Sequence, residues 1–131
     1  MGDWWTIGIF VGLGTSMGVA ATGALRRAII GGVVAAVVAV ALGLVFGEWD
    51  EAAGGLVGAA CGAFGSAPLV SGTLRRGGTA LLLAGASLVG AILAFVPILG
   101  YLEAVAVLAL GWRLRRRSPD RHAGLRTLAK D

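Results

Sequence analysis

Gly12-Leu-Gly-Thr-Ser-Met-Gly18 lies at the centre of a run from Trp4 to Leu25 that carries no charged side chain, and the run ends at Thr22-Gly-Ala-Leu-Arg-Arg27. An uncharged apolar run of this length reads as a membrane-spanning helix. Its centre, however, is glycine, threonine and serine, residues that hold a helix poorly by themselves. A related pattern returns as Gly62-Ala-Phe-Gly-Ser-Ala-Pro68, leading into Ser71-Gly-Thr-Leu-Arg-Arg76. Worked outward from these two segments, the chain reads as an all-α integral membrane protein.

The composition agrees. Of 131 residues, 57% are hydrophobic and only 14% charged, against roughly 25% charged in an ordinary soluble domain. The mean hydropathy is +0.88. A soluble core this apolar would lack the polar residues to cover itself. The 23 glycines beside only 3 prolines suit close helix packing in lipid. A single cysteine, Cys61, excludes an internal disulfide and disfavours a thiolate metal site. Among Ala59, Ala60, Gly62 and Ala63 it reads as a small packing residue. Met1-Gly-Asp-Trp-Trp lacks the positive start of a cleavable signal, so the first span is expected to remain in the mature protein.

Charge and length then set the topology. The expected spans are about 4–25, 28–46, 52–74, 78–96 and 97–114, with Gly47-Glu-Trp-Asp-Glu51 as a short polar loop. The stretch from Gly77 to Trp112, apolar except for Glu103, would make about 54 Å of helix, so it must fold back within a ~30 Å core. Pro97-Ile-Leu-Gly100 is the natural turning point. The fold expected is a five-span bundle, or four spans plus a re-entrant 97–112 segment, built from two glycine-rich helical hairpins and a terminal helix. Five spans with the N-terminus outside put all 11 Lys and Arg on the cytoplasmic side. The pairs Arg26-Arg27 and Arg75-Arg76 read as topology anchors. Arg115, Arg116 and Arg117 read as partners of anionic lipid headgroups, opening a basic cytoplasmic tail over 113–131. Within that tail, residues 120–130 could form a short helix, and His122 reads as solvated surface. The implied location is a plasma membrane, of prokaryotic type. Basic residues grouped in this way imply a bilayer and no nucleic-acid partner.

Aligning Leu25-Arg-Arg with Leu74-Arg-Arg also matches Gly23 with Gly72, Val40 with Val89, Leu44 with Leu93 and Phe46 with Phe95. A direct repeat of this kind would have its pseudo-axis along the membrane normal; shared topology alone would give many of the same apolar matches. Small residues recur four apart: Gly8 and Gly12, Gly14 and Gly18, then Gly54, Gly58, Gly62 and Ser66, then Ala86, Gly90 and Ala94. Residues so spaced share a helix face and let another backbone come close. Such faces predict a homo-oligomer, most simply a dimer, or a partner membrane protein.

Thr15, Ser16 and Ser66 stand between glycines near mid-span, and Pro68 cannot donate a backbone hydrogen bond. Gly14, Gly18, Pro68 and Pro97 are the expected helix breaks, Gly58 and Gly62 the packing positions. Carbonyls freed at such breaks need hydroxyls, water or an ion, which makes Thr15, Ser16 and Ser66 candidates for a midplane transport site. The bland alternative is a patched proline kink with Thr15 bonding back to its own helix. Glu103 is the one ionisable side chain well inside an apolar run, expensive there and by default functional, unless it reaches the outer interface. Gly23-Ala-Leu-Arg26 resembles the end of the first span in small dual-topology fluoride channels. The second span has no asparagine, the third no phenylalanine- and threonine-rich break, and the charge bias is decisive where dual insertion needs a weak one. The resemblance therefore implies no site. No nucleophile–base pair, metal cluster or phosphate loop is present, so a non-enzymatic protein without cofactor or metal is expected. The competing functions are a small oligomeric transporter or channel for an ion or polar solute, and a membrane subunit or scaffold packing through its glycine faces.

Overall fold

A computed structural model of the chain describes residues 3–117. The expectations for residues 118–131, the short helix and His122 among them, lie outside the described residues. Five helices follow in order: α1 (Asp3–Leu25), α2 (Ala28–Phe46), α3 (Trp49–Arg75), α4 (Ala80–Leu93) and α5 (Pro97–Arg117). Among the described residues there is no strand. Three helices, α1, α2 and α3, are long and apolar enough to cross a membrane. α4 has 14 residues, about 21 Å of rise, which falls short of a ~30 Å hydrocarbon core.

The helix ends follow from local chemistry. α1 closes on Arg26, whose φ of 54° is left-handed, a conformation usually given to glycine at this position. α3 opens with Glu51 reaching back: its Oε2 accepts from the Glu48 amide at 2.7 Å. Its Oε1 accepts from the Thr6 hydroxyl at 2.7 Å, which ties the start of α3 to α1. α3 closes on Gly77, with φ 82°, and the Gly78 amide bonds the Thr73 carbonyl at 2.9 Å. That six-to-one bond beyond a left-handed glycine is a Schellman end.

α1 and α3 form the central pair. A methyl group added at Gly58 would run into the Val11 carbonyl, at Gly62 into the Thr15 carbonyl, and at Gly14 into the Gly55 carbonyl. These pairs advance together, so the two helices run in the same direction with backbone against backbone. α2 lies antiparallel across them, burying Gly31, Ala35, Ala39 and Gly43 along one edge. Gly43 meets Ala52, while Gly31 meets Thr22. Ala35, Ala39 and Ala59 form the centre of the core, flanked by Met17, Ala21 and Ala36. On the far side α5 runs parallel to α1 and α3, with Gly100 against Gly8 and Gly111 against Gly65. α4 runs antiparallel to α1, from Leu83 at Gly23 to Ala94 at Gly12.

The turn from α4 into α5 therefore lies level with Gly8 to Gly12 of α1. That is roughly 10 Å of helix rise inward from Asp3. The expected fourth span over 78–96 contracts to α4, and α4 with α5 makes a shorter hairpin beside α1. Among the described residues the buried side chains are almost all small, and the largest fully buried ones are Thr15 and Ser66. Large apolar side chains point outward instead, Ile29 (72% exposed), Val45 (72%) and Leu81 (82%) among them.

Candidate functional site

The two glycine-rich segments do not break their helices. α1 is continuous through Gly14–Gly18 and α3 through Pro68, which corrects the expectation of loosened backbone at both places. The reasons are local. The Thr15 hydroxyl donates to the Val11 carbonyl at 2.8 Å, within its own helix. The Ser66 hydroxyl lies 3.5 Å from the Ala63 carbonyl, likewise within its own helix. Both residues are sealed, with Thr15 0% and Ser66 1% exposed. The close α1–α3 contact at Gly62 leaves no space for a solute beside Thr15.

Pro68 removes the amide that would have bonded the Phe64 carbonyl four residues earlier. That carbonyl accepts instead from Arg115 Nη2 of α5 at 2.7 Å. The orphan left by the proline is thus satisfied from another helix. Arg115 acquires a role beyond the expected lipid headgroup contact, one that residue order alone did not reveal.

Ser16, one position along from Thr15, faces elsewhere. Its hydroxyl donates to Glu103 Oε1 at 2.8 Å. Gly90 of α4 closes the same point: a methyl group there would lie 2.5 Å from Oε1 and 2.8 Å from Ser16 Oγ. Glu103 Oε2 is enclosed and has no hydrogen-bond partner. Three helices thus converge on one carboxyl group, with one oxygen held and the other bare. In apolar surroundings such an oxygen is costly unless a proton or a cation joins it. Of the four candidate site residues, the structure brings Ser16 and Glu103 together and leaves Thr15 and Ser66 in the α1–α3 seam. Gly90 stands out in the sequence only as one small residue in the Ala86–Ala94 series. Its place at the carboxyl depends on how α4 meets α1.

The arginines gather at the opposite end from Glu51. Arg26 and Arg75 line one cavity, while Arg75, Arg76, Arg115 and Arg117 line a groove of about 640 Å³ between the ends of α3 and α5. The Arg116 guanidinium lies 5.0 Å from the Trp112 ring centroid, a cation–π contact. Arg27 is exposed. No three His, Cys, Asp or Glu side chains group to hold a metal among the described residues. Comparison with protein families, with curated proteins and with solved structures finds no match to this chain.

Proposed function

We propose that the chain is a small integral membrane protein in which the Glu103 carboxyl, seated on Ser16 between α1, α4 and α5, is an exchangeable proton or cation site of an oligomeric transporter or channel. The observation that carries the reading is the enclosed Oε2 without a partner beside an Oε1 held at 2.8 Å by Ser16. Membrane residence is supported by inverted burial. Water would not tolerate an exterior of valine, leucine and isoleucine around a core of glycine and alanine. α1, α2 and α3 would cross, with Asp3 outside. The α4–α5 hairpin would enter from the cytoplasmic side and return. That arrangement keeps Arg113 to Arg117 inside, as a five-span chain would.

The test is ion flux in liposomes holding the purified chain, read with an internal pH-sensitive dye and with cation-selective indicators. Wild type is expected to conduct, Glu103→Gln to abolish flux, and Ser16→Ala to reduce it. Thr15→Val with Ser66→Ala is expected to leave flux intact, because both hydroxyls are sealed within the helix pair. Flux unchanged in Glu103→Gln would overturn the proposal. Absence of flux in wild type would favour the second reading, a membrane subunit that packs against a partner. That reading has its own support: α4 exposes Ala84, Gly85 and Ala86, and nothing lies within 4 Å of a methyl group added at Gly85. Another helix can approach such a face closely, from a second copy or from a different protein.

A further inference from the structure

We infer that the cavity between the C-terminal ends of α1 and α3 binds a phosphate group. The cavity has a volume of about 420 Å³ and is lined on its polar side by Thr22, Arg26, Ser71 and Arg75. No acidic side chain lines it, so no carboxylate pairs with the two guanidiniums there. Guanidinium groups present a planar fork of donors that matches phosphate oxygens two at a time.

Thr22 supplies the second observation. It is 2% exposed, and its hydroxyl is enclosed without a hydrogen-bond partner. Other helical hydroxyls in the chain bond back to their own ladder: Thr15 to Val11, Thr73 to Leu69 and Ser87 to Leu83. Thr22 does not, although its helix offers the same kind of acceptor. A buried hydroxyl left free is unfavourable unless something else receives its proton. Ser71 is exposed and donates to the Pro68 carbonyl at 3.1 Å, a long bond that its rotor can exchange for an incoming oxygen.

The four polar residues hold corresponding places in two segments of the chain. Thr22-Gly-Ala-Leu-Arg26 and Ser71-Gly-Thr-Leu-Arg75 each offer a hydroxyl, a glycine, a leucine and an arginine at the same spacing. The parallel seam of α1 and α3 brings both segments to one cavity. A topology anchor needs only the charge; a hydroxyl-bearing residue one turn earlier, lining the same space, is what an oxyanion site adds. Two sources share this chemistry, the phosphate of an anionic lipid headgroup and soluble phosphate.

The experiment uses the purified full chain in two arms. Calorimetric titration with inorganic phosphate in neutral detergent tests the soluble source. Native mass spectrometry from nanodiscs of phosphatidylglycerol mixed with phosphatidylcholine tests the headgroup. Binding in one arm or both is expected, and the arm that responds names the source. Thr22→Val and Arg75→Gln are each expected to weaken it by at least about tenfold. Arg27→Gln, which lines neither cavity, is expected to leave it close to wild type. Should Thr22→Val fail to fold, the exposed Arg75 variant and Ser71→Ala carry the test. Equal loss in Arg27→Gln and Arg75→Gln would mean diffuse surface charge and overturn the site. So would a chain that binds neither probe.

Discussion

A single methyl group separates two glycines of α3. At Gly58 it would collide with the Val11 carbonyl, whereas at Gly72 it would meet nothing within 4 Å. Gly58→Ala must therefore push two backbones apart, an overpacking cost of about 1–3 kcal/mol. Gly72→Ala only removes a flexible residue from a helix and should stabilise by roughly 0.5–1 kcal/mol. Thermal unfolding of the two variants in one detergent should shift in opposite directions; shifts of the same sign would contradict the seam. The four-residue spacing in the sequence marked Gly58 and Gly62 as packing positions, and in the structure each lies against a carbonyl of α1. The same spacing runs through α2 as Gly31, Ala35, Ala39 and Gly43, where the surrounding Ala, Gly and Val residues mask it. Spacing could not separate Thr15 from Ser16. Adjacent helical residues point about 100° apart, so one is sealed by α3 and the other meets Glu103. Which face serves which neighbour depends on helices that arrive much later in the chain.

Helix ends were more legible than helix interiors. Arg26-Arg27, the polar stretch Gly47–Glu51 and Pro97 are local signals, and α1, α2 and α5 start or stop at them; α3 begins inside that stretch, at Trp49, so the expected loop shortens to Gly47 and Glu48. Pro68 is a local signal too, but its outcome is decided elsewhere, because Arg115 of α5 takes the place of the lost amide on the Phe64 carbonyl. This coupling is testable as a double-mutant cycle. Arg115→Gln should destabilise by about 1 kcal/mol in the native background, where it strips a charge-assisted bond from a carbonyl with no amide of its own. In a Pro68→Ala background the helix recovers its own donor and most of that loss should vanish. Equal losses in both backgrounds would mean that the Arg115 contact and the proline are independent.

For the molecule as a whole, the sequence pointed to the turn at Pro97 but not to its level along α1. Apolar length alone allowed 78–96 to cross, yet Gly12, Gly100 and Ala94 lock the α4–α5 turn beside the first third of α1. In vesicles of a Cys61→Ala background, Val96→Cys should react with an impermeant maleimide much more slowly than Asp50→Cys, from either side. Equal rates from the outer side would restore a full fourth crossing. The shared direction of α1, α3 and α5 has a further, electrical consequence. Each helix carries about half an elementary charge of opposite sign at its two ends. Three carbonyl poles therefore meet at the end that holds Arg26, Arg75 and Arg115, while Asp50 and Glu51 stand at the amide pole of α3. α2 and α4 oppose only two of the three, so one helix's worth of polarity is left over. The guanidiniums there more than offset the fold's own negative end, and the molecule keeps a fixed sense of direction in an electric field applied along its axis.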